Sequence, residues 1–97
     1  MIDPDDDEPF VVPIEEALDL HTFAPRDILA AVEGYLEAAV EAGFREVRLI
    51  HGKGTGFQRS RVRDLLESHP DVESFRDAPS ERGGWGATIV RIREQVR

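Results

Sequence analysis

The stretch Val47-Arg48-Leu49-Ile50-His51-Gly52-Lys53-Gly54-Thr55-Gly56 decides the fold. Its first four residues form a short run with branched apolar side chains, which predicts a strand. The glycines at alternate positions predict a loop. Apolar residues at helical spacing between Val62 and Leu66 then predict a helix that ends before Pro70. A strand, a loop and a helix in succession are typical of an α/β domain.

A similar unit precedes this one in the chain. Residues Ile14 to Leu20 are predicted to form a strand, because apolar side chains stand two apart at its end. Pro25 suits the first turn of a helix, where its missing N–H is not needed. Apolar residues at helical spacing continue to Val40, and Gly43 is a natural helix end. The first two thirds of the sequence therefore contain two strand-and-helix units.

Two further strands complete the predicted domain. Val72 to Phe75 and Trp85 to Ile92 are rich in residues that favour strands, and a turn-rich connection over Pro79 to Gly84 joins them. The order β-α-β-α-β-β predicts an α/β two-layer sandwich. Its four-stranded mixed sheet would contain parallel pairs, with two helices on one face and the other face exposed.

Charge is distributed unevenly along the 97 residues, whose net charge is −8. Residues 1–16 carry seven acids and no base, which leaves 13 acids against 12 bases in the rest of the chain. Residues 44–63 carry six bases against one acid. We therefore predict a solvated, mobile acidic tail over residues 1–13 and a single domain over residues 14–97. The negative net charge describes the tail, so it does not exclude a nucleic-acid partner.

Composition excludes several classes of protein. The absence of cysteine excludes a disulfide framework, a zinc finger and a cysteine nucleophile. The longest clean apolar run, Ile28 to Val32, is too short to span a bilayer. The acidic start of the sequence has the wrong sign for a secretory signal or a transit peptide. The sequence therefore predicts a cytoplasmic protein without a membrane partner.

Two groups of polar residues follow the first two predicted strands. Asp19 and His21 lie at the end of the first strand, and His51 with the glycine loop lies at the end of the second. Parallel strands deliver their carboxyl ends to one edge of a sheet, so we expect these residues to converge. A carboxylate can orient an imidazole, and an imidazole can accept or donate a proton near neutral pH. Asp19, His21 and His51 are therefore the candidate catalytic residues.

The glycine loop and the helix after it would hold an anion. Glycine lets a ligand approach the backbone closely, and the N–H groups at a helix N-terminus attract negative charge. Lysine adds a point charge, and arginine adds a planar fork suited to phosphate. A phosphodiester would use all of these groups together. The candidate phosphate-binding residues are Gly52, Lys53, Gly54, Thr55, Gly56, Arg59 and Arg63.

Each of these features also has a plainer interpretation. A histidine at a strand end is often structural, the loop would serve as a connector, and the arginines would suit a solvated helix face. Trp85 and Phe75 are more often packing residues than platforms for bases. The loop is not a Walker phosphate-binding loop, because Phe57 stands where that motif has glycine. The histidines lack metal-ligand spacing, so no protein metal site is predicted, and a hydrated Mg²⁺ beside Asp19 stays open as a cofactor.

Four short segments match the pattern of one protein family. They are Leu18-Asp19-Leu20-His21, His51-Gly52-Lys53-Gly54, Gly54-Thr55-Gly56 with Arg59, and Gly83-Gly84-Trp85-Gly86-Ala87-Thr88. In this order, and over about residues 14–92, they resemble the Smr (small MutS-related) domain family. Thr22 stands where the family has glycine, a form that looks like the stand-alone bacterial members, and Gln58 replaces a leucine.

The resemblance implies a sandwich similar to the C-terminal domain of bacterial translation initiation factor three. It also implies nucleic-acid binding and, in several members, endonuclease activity on DNA or RNA. We therefore expect a phosphodiester hydrolase that acts on structured DNA or RNA, with ribosome-associated RNA among the candidate partners. The alternative is a non-catalytic module that binds nucleic acid or a ribosome. A third interpretation is a protein-interaction domain whose acidic tail docks on a basic partner, and the oligomeric state stays open.

Overall fold

The computed structural model describes residues 16–95, in which four strands form one mixed sheet. Strand β1 (Ala17–Asp19) pairs in parallel with β2 (Glu46–Ile50), while β4 (Ala87–Ile92) runs antiparallel to both β2 and β3 (Val72–Asp77), which gives the order β1-β2-β4-β3. The predicted α/β fold with a four-stranded mixed sheet and two α-helices is confirmed. The first helix, α1, covers Ile28–Ala42 between β1 and β2, and the second, α2, covers Phe57–Ser68 between β2 and β3.

Helix α1 begins three residues later than the position of Pro25 suggests. Residues Pro25–Asp27 form a 3₁₀ turn, and neither Ala24 nor Asp27 caps the helix with a side-chain hydrogen bond. The other end is well defined, because Gly43 adopts a left-handed φ of 83° and donates its N–H to the carbonyls of Ala39 and Val40. This end turns the chain directly into β2.

The main core lies between the two helices and one face of the sheet. It joins buried residues of α1, α2 and the strands, among them Leu36, Val62, Leu49 and Val90. All four side chains are fully buried, and close packing of such apolar residues is the main source of the domain's stability. No helix among residues 16–95 is long and apolar enough to cross a membrane.

The opposite face of the sheet is less exposed than predicted. Ile89 is fully buried there and packs with Ala78 and Ala87 in a small second cluster. The connection between β3 and β4 covers this cluster, and Arg48 holds it by donating from Nη1 to the carbonyl of Arg82 over 3.0 Å. The predicted exposed face of the sheet is therefore found only where Glu46, Arg76 and Arg91 form exposed ion pairs, beyond the connection between β3 and β4.

Two strand boundaries differ from the prediction and matter for the site. Strand β1 ends at Asp19, because the Asp19 side chain accepts the N–H of His21 and starts the 3₁₀ turn Leu20–Thr22. Strand β4 begins at Ala87, because Gly83 and Gly84 have positive φ and a 3₁₀ turn over Gly84–Gly86 takes Trp85 out of the strand. Residues 14 and 15 of the first predicted strand, like the predicted acidic tail over residues 1–13, lie outside the described residues. The likeness to the initiation factor domain stays a prediction.

Candidate functional site

The candidate site lies where the parallel strands β1 and β2 end. Asp19 is in register with Ile50, so the next residues of each strand, which include His21 and Gly52, meet at one edge of the sheet. A Cβ atom added to Gly52 would lie 2.6 Å from Nε2 of His21, which leaves no room for a side chain at this position. The two groups of polar residues therefore converge as the parallel pairing predicts.

Asp19 holds the imidazole of His21 by two hydrogen bonds to one carboxylate oxygen. The backbone N–H of His21 donates to Oδ1 over 2.9 Å, and ring atom Nδ1 lies 2.8 Å from the same oxygen. These bonds, first that of the backbone N–H and then that of the ring, lower the pKa of Asp19. Since an ionised carboxylate only accepts, Nδ1 carries a proton, and in the neutral ring Nε2 therefore presents a lone pair beside Gly52. Both side chains are exposed, Asp19 by 55% and His21 by 62%.

His51 has a different environment at the end of β2. It is only 7% exposed, and both ring nitrogens have partners inside the protein. Nδ1 donates to the carbonyl of Gly52 over 2.9 Å, and Nε2 accepts the hydroxyl of Thr88 over 2.9 Å. Burial lowers the pKa of His51, so the neutral ring is favoured. His51 thus connects the glycine loop to β4.

The glycine loop offers backbone N–H groups to an anion. Gly52, Gly54 and Gly56 have φ values of 82°, 42° and 87°, which residues with side chains rarely adopt. The N–H of Gly52 donates to the carbonyl of Gly86 over 2.8 Å and fixes the start of the loop. Within residues 16–95, the N–H groups of positions 53, 54 and 55 have no hydrogen-bond partner. Successive free N–H groups before a helix are a favourable setting for phosphate.

Arg59 and Arg63 share one carboxylate beside the site. Their Nη2 atoms lie 2.7 Å and 2.6 Å from Oδ1 of Asp77, and the hydrogen bond from Arg59 lowers the pKa of Asp77. Arg63 also reaches the hydroxyl of Thr88 over 3.5 Å. The two predicted phosphate-binding arginines are therefore close to each other and to His51, but one of their two charges is balanced by Asp77.

Lys53 and Thr55 are both exposed at the loop. The structure leaves the Lys53 ammonium without an ion pair among residues 16–95. The hydroxyl of Thr55 accepts the N–H of Phe57 over 3.3 Å and so satisfies a donor at the start of α2. Together with the free N–H groups, they line a cavity of about 240 Å³ bounded by residues 51–58.

The sequence interpretation missed three partners of the site. Thr88 and Asp77 face each other across β3 and β4, and this register places them beside His51 and the arginines. The indole of Trp85 lies beside Gly56, since a Cβ added there would be 3.6 Å from it. Residues 83–88 were recognised as a motif, but the motif alone did not show which side chain serves the site.

The described residues contain no group of three or more His, Cys, Asp or Glu side chains positioned to hold a metal ion together. Asp19 lies opposite Ile50, just before the loop, and its Oδ1 is already bonded to His21. A hydrated Mg²⁺ would thus depend on Asp19 and on the ligand's own phosphate oxygens.

The amino-acid sequence matches one family of protein domains and several longer bacterial proteins. The sequence profile of the Smr domain matches residues 18–93. The chain is 44% identical over 80 residues to endonuclease MutS2 of Halalkalibacterium halodurans, and 45% identical over 76 residues to the putative endonuclease MutS2 of Bacillus subtilis. These matches cover 82% and 78% of the chain but only 10% of each relative.

Solved structures agree with the sequence comparison. The Smr domain of Thermus thermophilus MutS2 superposes with a TM-score of 0.78 at 40% identity, covering 82% of this chain and all of that one. YdaL, a stand-alone small MutS-related protein of Escherichia coli, gives a TM-score of 0.78 at 30% identity and covers 84% of this chain and 67% of its own.

Proposed function

The chain belongs to the Smr domain family, and from that premise we propose that it binds nucleic acid and acts as an endonuclease on structured DNA or RNA. The relatives named as endonucleases are about ten times longer than the matched region, so the activity of this chain is an inference from its site. The observation that carries the inference is the imidazole of His21, oriented by Asp19, with its free Nε2 against Gly52.

We propose that His21 acts as the general base. If the substrate is RNA, Nε2 takes the proton of a 2′-hydroxyl, whose oxygen attacks the adjacent phosphorus atom. The bond from phosphorus to the 5′-oxygen then breaks, which leaves a 2′,3′-cyclic phosphate and a 5′-hydroxyl after that oxygen takes up a proton. If the substrate is DNA, Nε2 takes the proton of a water molecule, whose oxygen attacks the phosphorus atom. One of the two ester bonds from phosphorus to oxygen then breaks, which leaves a terminal phosphate and a hydroxyl group after the released oxygen takes up a proton. Asp19 keeps the proton on Nδ1 and stabilises the imidazolium that forms.

The loop would hold the phosphate during this reaction. The free N–H groups of residues 53–55 and the Lys53 ammonium face the developing negative charge, as donors do in an oxyanion hole. Arg59 and Arg63 would add charge from the side of α2. His51 acts in this proposal as a positioning residue, because both of its ring nitrogens are bonded to Gly52 and Thr88. The sequence expectation that His51 shares the acid–base chemistry is thereby replaced by our proposal of a supporting role.

The test is a single-turnover nicking assay on an RNA hairpin and on a branched DNA, each with and without EDTA. We expect wild-type protein to cleave at least one substrate, and His21→Ala to reduce the rate by about 10²–10⁴-fold, the usual contribution of a general base. A matched control is Arg91→Ala on the other face of the sheet, which should keep the wild-type rate. Cleavage at the wild-type rate by His21→Ala would reject the assignment, and a 2′-deoxy nucleotide at the cut site tests the role of the 2′-hydroxyl.

One observation favours a second function, that of a non-catalytic binding module for nucleic acid or ribosome-associated RNA. His51 is saturated by internal hydrogen bonds, so the site presents one exposed histidine instead of an acid–base pair. In this case the protein would bind nucleic acid in a salt-dependent way and cut none of the substrates with any divalent cation. Arg59→Ala would then weaken binding and reduce the slope of the logarithm of the binding constant against the logarithm of the salt concentration by about one. Asp19→Ala would leave binding unchanged.

A further inference from the structure

Three large apolar side chains are exposed among residues 16–95. They are Phe23, Phe57 and Trp85, and all three are aromatic. Phe23 follows the turn after β1, and Phe57 begins helix α2 after the glycine loop. Trp85 comes just before β4, and the first residue of β4, Ala87, pairs with the last residue of β2, Ile50. The topology therefore brings the three rings to the edge of the sheet that carries His21. Such a cluster of exposed rings beside a polar site indicates a surface that meets a partner.

Trp85 is placed beside the loop by hydrogen-bonded backbone. The neighbouring carbonyl of Gly86 accepts the N–H groups of His51 and Gly52, over 3.1 Å and 2.8 Å. The indole lies against Gly56 and under the guanidinium of Arg59, which is 5.4 Å from the ring centre. Trp85 is nevertheless 41% exposed. The ring is therefore fixed by its contacts and still offers surface to a ligand.

Phe57, the residue after Gly56, is also an exposed ring with a guanidinium over it. It is 62% exposed, it lines the cavity of residues 51–58, and the guanidinium of Arg61 lies 5.5 Å from its ring centre. Arg61 is itself held by bonds to the Pro25 carbonyl and to Gln58, each over 3.1 Å. An exposed phenylalanine at the start of a helix contributes little to the core, so its packing does not account for its position.

We propose that Trp85 and Phe57 stack on unpaired bases next to the phosphate held at the loop. The inference rests on the proposed function and names its substrate class: a single-stranded or looped segment of nucleic acid, not a continuous duplex. Base faces are accessible to aromatic rings only where the bases are unstacked, and stacking tolerates any base sequence. The cations Arg59 and Arg61 beside the rings suit a polyanion whose bases are splayed out.

The neighbours of these rings also argue against an apolar protein partner. Trp85 and Phe57 each have a guanidinium over the ring, and Lys53 is exposed next to them. Desolvating these cations against an apolar surface would be costly, whereas phosphates would compensate them. The patch therefore fits a ligand that combines flat apolar groups with negative charge.

The test uses the fluorescence of Trp85, the protein's one tryptophan. A 2′-O-methyl RNA strand that resists cleavage is titrated into the wild-type protein, alongside an abasic strand of equal length and a blunt duplex. We expect quenching and tightest binding with the normal strand, and weaker binding with the other two ligands. Phe57→Ala and Trp85→Ala should each weaken strand binding by about tenfold, measured by anisotropy of a labelled strand. Trp85→Phe, which keeps an aromatic face, should recover most of the loss.

Two outcomes would overturn the inference in distinguishable ways. If the abasic strand binds as tightly as the normal strand, or if both alanine variants bind like wild type, stacking is wrong while nucleic-acid binding stands. If no nucleic acid binds the wild-type protein at all, the proposed function fails together with the inference. Thermal unfolding of each variant shows whether the fold is retained, and Phe57→Ala provides the readout if Trp85→Ala does not fold.

Discussion

The ends of β1 and β2 lie side by side and each presents a histidine, but the two histidines have opposite environments. His21 is exposed and bonded through one nitrogen to Asp19, which leaves the other nitrogen free. His51 is buried and bonded through both nitrogens, to Gly52 and Thr88. Equivalent positions at strand ends therefore do not give equivalent roles, because the hydrogen-bond partners decide which nitrogen is available.

Among the substitutions that keep both histidines, the largest effect is expected where the two strand ends meet. Gly52→Ala would put a Cβ 2.6 Å from Nε2 of His21 and force an alanine into a φ of about 82°. His21 is an exposed side chain that can swing away, so the rate should fall by about 10²-fold, the effect of misplacing a catalytic group by about 1 Å. The backbone strain should also cost about 1–2 kcal/mol of the free energy of unfolding. Single-turnover cleavage and urea denaturation measure both effects. Gly54→Ala also has a positive φ but meets no neighbouring atom, so it reports the backbone strain without the contact with His21.

The next effect concerns the partner of the exposed histidine. Asp19→Asn removes the charge that stabilises the imidazolium of His21 and no longer fixes the proton on Nδ1. We expect cleavage to slow by about ten- to a hundredfold, which is less than the loss of the base itself. Because Asp19 is exposed, the unfolding transition should stay unchanged. A variant that loses stability but keeps its cleavage rate would contradict this role.

The third effect concerns the partner of the buried histidine. Thr88→Val keeps the volume of this fully buried side chain and removes the hydroxyl that donates to Nε2 of His51. A buried acceptor left without a partner should cost about 1–3 kcal/mol of the free energy of unfolding. Thr88→Ser restores the hydroxyl and should recover part of the loss. Urea denaturation of both variants checks the prediction, and equal stability of Thr88→Val and wild type would show that the bond contributes nothing.

The smallest effect is a dependence of stability on pH. Burial lowers the pKa of His51 below its ordinary value of 6.5, so the unfolded chain binds a proton that the folded chain resists. His51 thus supports the fold above about pH 6.5, and this contribution is lost as the pH falls through the lowered pKa. The lowered pKa values of Asp19 and Asp77 act in the same direction, but only below about pH 3.9. Urea denaturation between about pH 7 and pH 5 should show a free energy of unfolding that falls with falling pH, and His51→Gln should make this fall smaller. An equal fall in His51→Gln and wild type would contradict the assignment to His51.

Much of the fold was predictable because its signals are local. Gly43 and Pro70 mark helix ends, the glycines at 52–56 mark the loop, and the parallel pairing that joins the two histidines follows from the order of elements. The contacts of His51 were not predictable, because its partner Thr88 is 37 residues away and depends on the register of β4. The exposure of Trp85 was missed for a related reason: positive φ at Gly83 and Gly84 ends the strand that its side chain would otherwise join.

The ion pairs of Arg59 and Arg63 were also not predictable, because their partner is distant in the sequence. Arg59 and Arg63 stand on one face of α2, as their spacing predicts, but Asp77 lies 18 and 14 residues from them in the sequence. A shared carboxylate changes a phosphate-binding pair into a group with one net positive charge. Only the packing of α2 against the end of β3 reveals this compensation.

The most direct test of the account compares His21→Gln with His51→Gln in the same two assays. We predict that His21→Gln cleaves at least about 10²-fold more slowly and unfolds within about 0.5 kcal/mol of wild type. His51→Gln should instead lose about 1–3 kcal/mol of the free energy of unfolding, and cleave at a rate closer to wild type under conditions where it is folded. Cleavage at the wild-type rate by His21→Gln, or full stability with lost cleavage in His51→Gln, would contradict these two roles.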